Sequence, residues 1–478
     1  MKNCGFSNKT DRQLMNNTGK HIHFVGIGGA GMSGIASILL ELGYRVSGSD
    51  LQSNICTRRL KDKGAQIFKG HDGSHVCGAD LVVISSAINK ENKEVLAARE
   101  NNIEIIPRAE MLSRIMNQKY RIAVSGTHGK TTTTSMISML LEGMHLEPTI
   151  AIGGEANDIG GNARLGRGDY MVVEADESDG SFLLLNPNIV IVTNIENDHL
   201  DYYTSLEKTK ESFRLFLEKV PADGFFVFGW DCPNARMIFE EISAKKEVIS
   251  FGFGENAQLR AVDSRLLKNS SSSDIYWQQN KLGILNLNVP GYHNISNALA
   301  AIATGMKLGF QFKDIVEILT HFRGVKRRQE IVFQHNDKFL IIDDYGHHPT
   351  EIKATLRAIK TGWPEHRIIT VFQPHRYSRT MLLLEYFGSA FLDSDIVIIN
   401  DIYPANEKPI PNISAELIYQ EVKKQQKENI YYIPEKIDTV YFLENMVLER
   451  DIVITMGAGD VWKIGIELMK KMQLHNLN

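Results

Sequence analysis

The sequence predicts an α/β protein of three domains, and three observations carry that prediction. Short apolar runs rich in Val and Ile alternate with longer runs of helical period along most of the chain, the rhythm of parallel, doubly wound sheets. Strands end in glycine or polar loops: HIHFV runs into GIGGAGMSG, YRIAV into SGTHGKTTTT, and RDIVIT into MGAGD. The 478 residues suffice for roughly two to four domains of ~150 residues each.

The elements follow in order. Residues 1–19 are polar and read as a flexible tail; lacking an apolar core, they are not a secretory signal. Residues 20–118 read as an N-terminal Rossmann-like parallel sheet. HIHFVGIGG is a strand entering glycines, GMSGIASILLELG a helix ending on Gly43, and YRVSGSD and ADLVVISSAI further strands. Residues 119–324 read as a central P-loop ATPase-like α/β domain. It holds YRIAVSGTHGK, the helix TTTTSMISMLLEG, the buried strands DYMVVEADES and NIVIVTNIENDH, and the helix HNISNALAAIATGMKLG. KNSSSSD reads as a surface loop near residue 271. Residues 325–478 read as a C-terminal Rossmann-like α/β domain built on DKFLIIDDYGHHPTEIKATLRAI, RIITVFQPHRYSRT, SDIVIINDIYP and RDIVITMGAGDVWKIG.

Composition narrows the partners. With 53 Lys and Arg against 57 Asp and Glu, the net charge of −4 gives no electrostatic reason to expect nucleic acid. No apolar run approaches the ~18 residues that span a bilayer, so no membrane is expected. Cys4, Cys56, Cys77 and Cys232 are far apart and contain no CxxC, which suggests neither zinc nor a disulfide framework. The default setting is cytoplasmic.

In open α/β sheets, ligands gather at the carboxyl ends of strands. Gly26, Gly28 and Gly31 fit GxGxxG between a strand and a helix, and Asp50 ends the next strand where a ribose-binding acid belongs. Glycines let the backbone approach a diphosphate, and the helix start supplies N–H donors. NAD and a UDP-sugar satisfy these donors equally.

The second loop, Ser125–Thr134, departs from the standard phosphate-loop pattern. Gly129, Lys130 and Thr131 fit GK[ST], but Val124 stands where the first glycine belongs, and Gly126 follows instead. Lys130 can reach the β- and γ-phosphates, the Thr131 hydroxyl can join a Mg²⁺ shell, and the backbone from Gly126 through Thr127 and His128 to Thr132 can wrap phosphates. Glu174 ends a buried strand, where an unpaired carboxylate is costly and a Mg²⁺ partner would explain it. Asp176, Glu177 and Asp179 follow closely, so the ligand among them stays open. His199 sits in ENDHLD at another strand end.

SGTHGKTTTT, EADESDGSF and TNIENDHLDYY together resemble the Mur ligase family of ATP-dependent amide-forming enzymes, whose phosphate loop is a shortened variant of this kind. GIGGAGMSGIA, GYHNISNALAA, DDYGHHPTE and FQPHRYSRT resemble its alanine-adding branch, in the expected order and over nearly the whole chain past the tail. The resemblance implies ATP and Mg²⁺ as cofactors, UDP-N-acetylmuramate and L-alanine as partners, and a monomer or weak homodimer. It places the UDP-sugar on Gly28, Gly29, Gly31, Met32, Ser33 and Asp50. It singles out Glu174 and His199 as metal ligands with Thr131. Asn294 and Asn297 face ATP. Arg328, with its neighbour Arg327 as the alternative, cradles phosphate. Asp344 contacts the nucleotide, and Asp343 is its structural twin. His348, Tyr345, Arg376 and Arg379 line the amino-acid site, the two arginines spaced to fork onto one carboxylate. One departure stands out. Several family members carry a carbamylated lysine ~15 residues past this histidine, a spacing read from the resemblance, and here that position is Arg214. Lys208, Lys210 and Lys219 read as a solvated helical face.

Overall fold

The computed structural model describes residues 19–156, 161–198, 200–242, 246–335, 339–405, 407–425 and 429–475. They pack into two compact units. One comprises Ser205–Leu259, Asn297–Ile318 and the residues described up to Asp198; the other is built mainly from Arg260–Ser296 and the residues described from Leu319 on.

The first unit holds two sheets. In the first, β1 (His21–Val25), β2 (Arg45–Asp50), β3 (Gln66–Lys69), β4 (Leu81–Ile84) and β5 (Glu104–Pro107) lie in the order β3-β2-β1-β4-β5, all parallel. Every residue of β1 is buried, as in a strand covered on both faces, and its two histidines, His21 and His23, are satisfied by the Ser47 hydroxyl. The strand order reverses beside β1, so the loop leading into helix α1 (Ala30–Glu41) stands at the topological switch point.

This sheet also buries a charge. The Glu94 side chain is fully enclosed, and its oxygens accept from Ser49 Oγ at 2.6 Å and pair with Nδ1 of His71 at 2.8 Å and of His75 at 2.7 Å. His23 Nε2 lies 3.5 Å away. Burial pushes the Glu94 carboxyl up, but these hydrogen bonds outweigh it and hold the group down at about 2.

The second sheet contains β6 (Tyr120–Ser125), β7 (Thr149–Ala156), β8 (Gly161–Arg164), β9 (Tyr170–Glu174), β10 (Ile189–Val192), β11 (Phe225–Gly229) and β12 (Glu247–Gly252). They run β12-β11-β10-β6-β9-β7-β8, parallel except for β8, which returns antiparallel along β7. Because β6 and β10 are neighbours at the switch point, the loops after them leave side by side.

The chain next forms β13 (Leu259–Leu267), and in the second unit β14 (Ser270–Trp277) pairs antiparallel with β15 (Asn280–Leu287), with a register shift between Ile275 and Tyr276. KNSSSSD is therefore strand, not the surface loop its serines suggested. Ser271 and Ser273 are buried, and their hydroxyls donate to the carbonyls of Val289 and Val262. Alternation and satisfied hydroxyls override the loop-like composition.

The last sheet holds β16 (Glu330–His335), β17 (Phe339–Asp344), β18 (Arg367–Phe372), β19 (Ile396–Ile399), β20 (Ile430–Tyr432) and β21 (Asp451–Met456), ordered β16-β17-β21-β18-β19-β20. Only β16 is antiparallel, and its register shifts between Ile331 and Phe333. Apolar clusters cover both faces, around Phe372, Phe387 and Phe391 on one and Ile398, Val453 and Leu468 on the other. Met456 pairs with both Asp344 and Phe372, so the loops DDYGHH, FQPHR and MGAGD emerge at one edge. No helix among the described residues is long and apolar enough to cross a membrane.

Candidate functional site

The first glycine loop is held open by its own side chains. Gly28 N–H donates to Asp50 Oδ2 at 2.9 Å, and Asn54 Nδ2 donates to the Gly28 carbonyl at 3.0 Å. A Cβ on Gly28 would stand 2.7 Å from Asp50 Oδ2, so any larger residue would push the Asp50 and Asn54 side chains from these bonds. Asp50, read as a ribose-binding acid, thus holds backbone here: its Oδ1 also accepts from Gln52 N–H. Met32 meets this loop through its backbone alone. Its side chain is buried in the apolar core beside Ile35 and Leu39. Ser33 Oγ donates to the Ala30 carbonyl at 2.9 Å. Gly29 is the helix N-cap.

Two residues that sequence reasoning missed join this loop. Arg108, at the carboxyl end of β5, places Nη1 2.5 Å from where a Cβ on Gly31 would be, adding a cation to the glycine loop. Asn162 of β8 donates through Nδ2 to the Ala30 carbonyl. Arg108 was findable, since it obeys the strand-end rule; Asn162 had no signal.

The second loop is built around Gly129, whose φ of +83° caps helix α2 (Lys130–Gly143) in the left-handed region. The Asn297 side chain packs against it. Its Oδ1 lies 2.5 Å from where a Cβ on Gly129 would stand, and accepts from Thr133 Oγ1 at 3.2 Å. Thr127 and His128 are tied to the loop after β10. Thr127 N–H donates to the Asn194 carbonyl, His128 N–H to Asn194 Oδ1 at 2.9 Å, and Glu196 N–H to Thr127 Oγ1 at 2.8 Å. His128 Nε2 lies 3.5 Å from Glu196 Oε2. Thr132 is buried in the helix start.

Lys130 Nζ lies 2.9 Å from Glu177 Oε2 and donates to the carbonyls of Gly126 and Thr127 at 2.6 and 3.2 Å. Glu174 accepts from Thr131 Oγ1 at 3.0 Å and from Gly153 N–H at 2.7 Å. Burial pushes Lys130 down, but Glu177 and Asp176 outweigh it and raise it. Burial also raises Glu174, and lifts Glu177 to about 7 despite Lys130. An ion pair alone would lower Glu177. The upward direction has burial as its main cause, with the neighbouring Asp176 carboxylate adding to it, and together they outweigh Lys130. The Glu174 carboxylate with the Thr131 hydroxyl beside it is an oxygen donor set suited to a hard divalent cation such as Mg²⁺. His199 lies outside the described residues. Arg214 turns to Glu241 instead, Nε to Oε2 at 2.9 Å. Lys208 and Lys219 are exposed, but Lys210 is buried, contrary to the solvated face expected of it.

In the second unit, Asn294 Nδ2 donates to the Pro290 carbonyl at 2.7 Å, a side-chain-to-backbone bond reaching back four residues within the first turn of the helix Tyr292–Lys307. The arginine pair divides its labour. Arg327 Nε meets Asp343 Oδ2 at 2.8 Å and its Nη2 donates to the Gly457 carbonyl at 2.7 Å, locking two strand ends together. Arg328 meets Glu351 Oε1 at 3.3 Å and lies over the Tyr345 ring. Asp344 accepts from the N–H groups of Gln329 and Gly346 at 2.8 and 2.7 Å; burial pushes it up to about 6, against the pull of Arg328.

His348 caps helix α3 (Pro349–Gly362), its Nδ1 accepting from Thr350 N–H at 3.3 Å. Arg376 caps helix α4 (Tyr377–Phe387) at a strained φ of +69°. Arg379 Nη1 donates to His375 Nδ1 at 3.2 Å, and burial with Arg379 and Arg376 holds His375 down at about 4, neutral at physiological pH. His375 stacks on Tyr403.

These loops define first a class: a three-domain α/β enzyme that turns over a nucleoside triphosphate. Residues 21–120 match the catalytic domain of the Mur ligase family, 124–305 its middle domain, and 327–459 its glutamate ligase domain. The chain belongs to the Mur ligase family. It is 48% identical to the UDP-N-acetylmuramate–L-alanine ligase of Geobacter sp. (strain M21) over 454 residues, 95% of this chain and 98% of that protein. It is 47% identical to the protein of the same name from Dictyoglomus turgidum over 453 residues, 95% of this chain and 97% of the other. The crystal structure of the UDP-N-acetylmuramate-alanine ligase of Thermotoga maritima superposes with a TM-score of 0.81 at 28% identity, covering 95% of this chain and 99% of that one.

Proposed function

We propose that the chain joins L-alanine to the carboxylate of UDP-N-acetylmuramate with ATP, a step of peptidoglycan precursor synthesis in the cytoplasm. The observation that carries the reading is the phosphate loop whose lysine sits among buried carboxylates, in a chain of this family. The sugar carboxylate attacks the γ-phosphorus and the bond to the β-phosphate oxygen breaks, giving ADP and an acyl phosphate. The alanine amine then attacks the acyl carbon, and phosphate leaves as the amide forms.

Lys130 and the amides from Gly126 to Thr132 hold the phosphates. Thr131 and Glu174 would hold Mg²⁺, with His199 as a further ligand. Mg²⁺ bound there would neutralise phosphate charge. Asn294, Asn297, Arg328 and Asp344 contact the nucleotide. Gly28, Gly29, Gly31 and Ser33, with Arg108 nearby, take the UDP diphosphate. Arg376 and Arg379 take the alanine carboxylate, and His348 borders that site.

The test is phosphate release with Mg-ATP, UDP-N-acetylmuramate and one amine at a time: L-alanine, glycine, L-serine or the cell-wall tripeptide. Release should require the UDP-sugar and be fastest with L-alanine. Release with the tripeptide alone would reassign the chain to peptide addition.

A further inference from the structure

Gln329 is half-buried, but its side chain ends in enclosed polar atoms. Its Oε1 and Nε2 are both buried, and neither makes a hydrogen bond to the described residues. Buried amides are nearly always satisfied, and leaving both ends bare disfavours the fold unless something else meets them. The backbone adds a second sign. Gln329 has φ of +49° and Arg327 φ of +58°, so two non-glycine residues in the left-handed region flank Arg328. Such strain persists where the surroundings fix it, and it collects at ligand sites. Here it is fixed by Asp344 Oδ2, which accepts the Gln329 N–H at 2.8 Å, and by the contacts of Arg327 with Asp343 and Gly457.

We propose that the Gln329 amide binds a ribose hydroxyl of the nucleotide beside Asp344, and that it sets a preference for ribonucleotides over deoxyribonucleotides. The inference rests on the reading above, in which Arg328 and Asp344 contact ATP. An amide offers an acceptor and two donors, and a hydroxyl both donates and accepts, so the two match. Each Asp344 oxygen already accepts one backbone N–H and keeps capacity for a hydroxyl donor. Phosphate is a poor occupant, because Asp344 and Glu351 are both acidic. The base is also disfavoured. Arg328, the phosphate-cradling residue, immediately precedes Gln329, and the ribose is the part of a nucleotide that adjoins its phosphates.

The experiment compares the full-length protein with Gln329→Ala and Gln329→Gly. It measures kcat/KM for ATP, 2′-deoxy-ATP and 3′-deoxy-ATP at saturating UDP-N-acetylmuramate and L-alanine, and separately the KM for L-alanine. Glycine suits the positive φ, so Gln329→Gly should melt no lower than the parent and keeps the test independent of folding. The parent should favour ATP over at least one deoxy analogue by about five- to tenfold, the worth of one neutral hydrogen bond. Both variants should bring that ratio close to one without moving the alanine KM.

A parent indifferent to the missing hydroxyls overturns the proposal and leaves ATP use intact. So does a ratio unchanged by substitution, or a shift in the alanine KM in its place. A parent that consumes no ATP with any amine overturns the underlying reading first, and the Gln329 assignment with it.

Discussion

Lys130 Nζ lies 2.9 Å from Glu177 Oε2, and the same ammonium donates to the Gly126 carbonyl, so the phosphate loop holds its own cation ready before any phosphate arrives. Lys130→Ala removes the charge proposed to meet the γ-phosphate. Turnover should fall by about 10²–10³-fold, as for loss of a preorganised transition-state donor. Phosphate release by a variant whose circular dichroism matches the parent is the measurement, and a loss of less than tenfold would remove Lys130 from its role.

Gly129→Ala should fail for two independent reasons. The φ of +83° strains any side chain by about 1–2 kcal/mol, and the new Cβ would stand 2.5 Å from Asn297 Oδ1. We expect a lower melting temperature together with a raised KM for ATP. Adding Asn297→Ala should relieve the clash only, leaving part of both defects.

The two neighbouring arginines should separate in a melt. Arg327→Ala leaves Asp343, 3% exposed, without its cation, and loss of one partner of a buried pair costs about 3–5 kcal/mol. Thr455 Oγ1 still donates to Asp343, which softens the loss. Arg328→Ala should act chiefly on turnover and the KM for ATP. Equal melting losses in the two variants would contradict this division.

Glu94 should govern acid stability. Its folded value of about 2 lies below the usual 4.5, so its contribution is complete above pH 4.5 and is lost as pH falls towards 2. The shift amounts to about 3 kcal/mol. Urea midpoints of the parent should drop steeply across that window, whereas Glu94→Gln should start lower at neutral pH and decline less.

Much of the site was legible because its parts are contiguous. Ser125–Thr131 and Gly26–Ser33 each lie within one strand-to-helix turn, and Glu174 betrayed itself as an acid ending an apolar strand. What the chain brings together from afar was not legible. The N–H that holds Glu174 comes from Gly153 on β7, and the cation over Gly31 comes from Arg108 after β5. That Asp343 and Gly457 engage Arg327 was not legible either, since no local pattern supplies their positions. The direction of the Met32 side chain was not legible for a related reason: a residue in a glycine-rich turn can offer backbone while its side chain turns to the core. Ser271 misled because serine-rich composition outweighed its alternation.

Each sheet closes its borders in an irregular way. β3, β5 and β8 have four residues and β20 three, while the register slips at β16 and along the β14–β15 pair. Short or kinked borders make poor templates for a second polypeptide. At high concentration the native protein should therefore resist fibrous self-association, a colloidal property set by strand length and bulge rather than by surface charge.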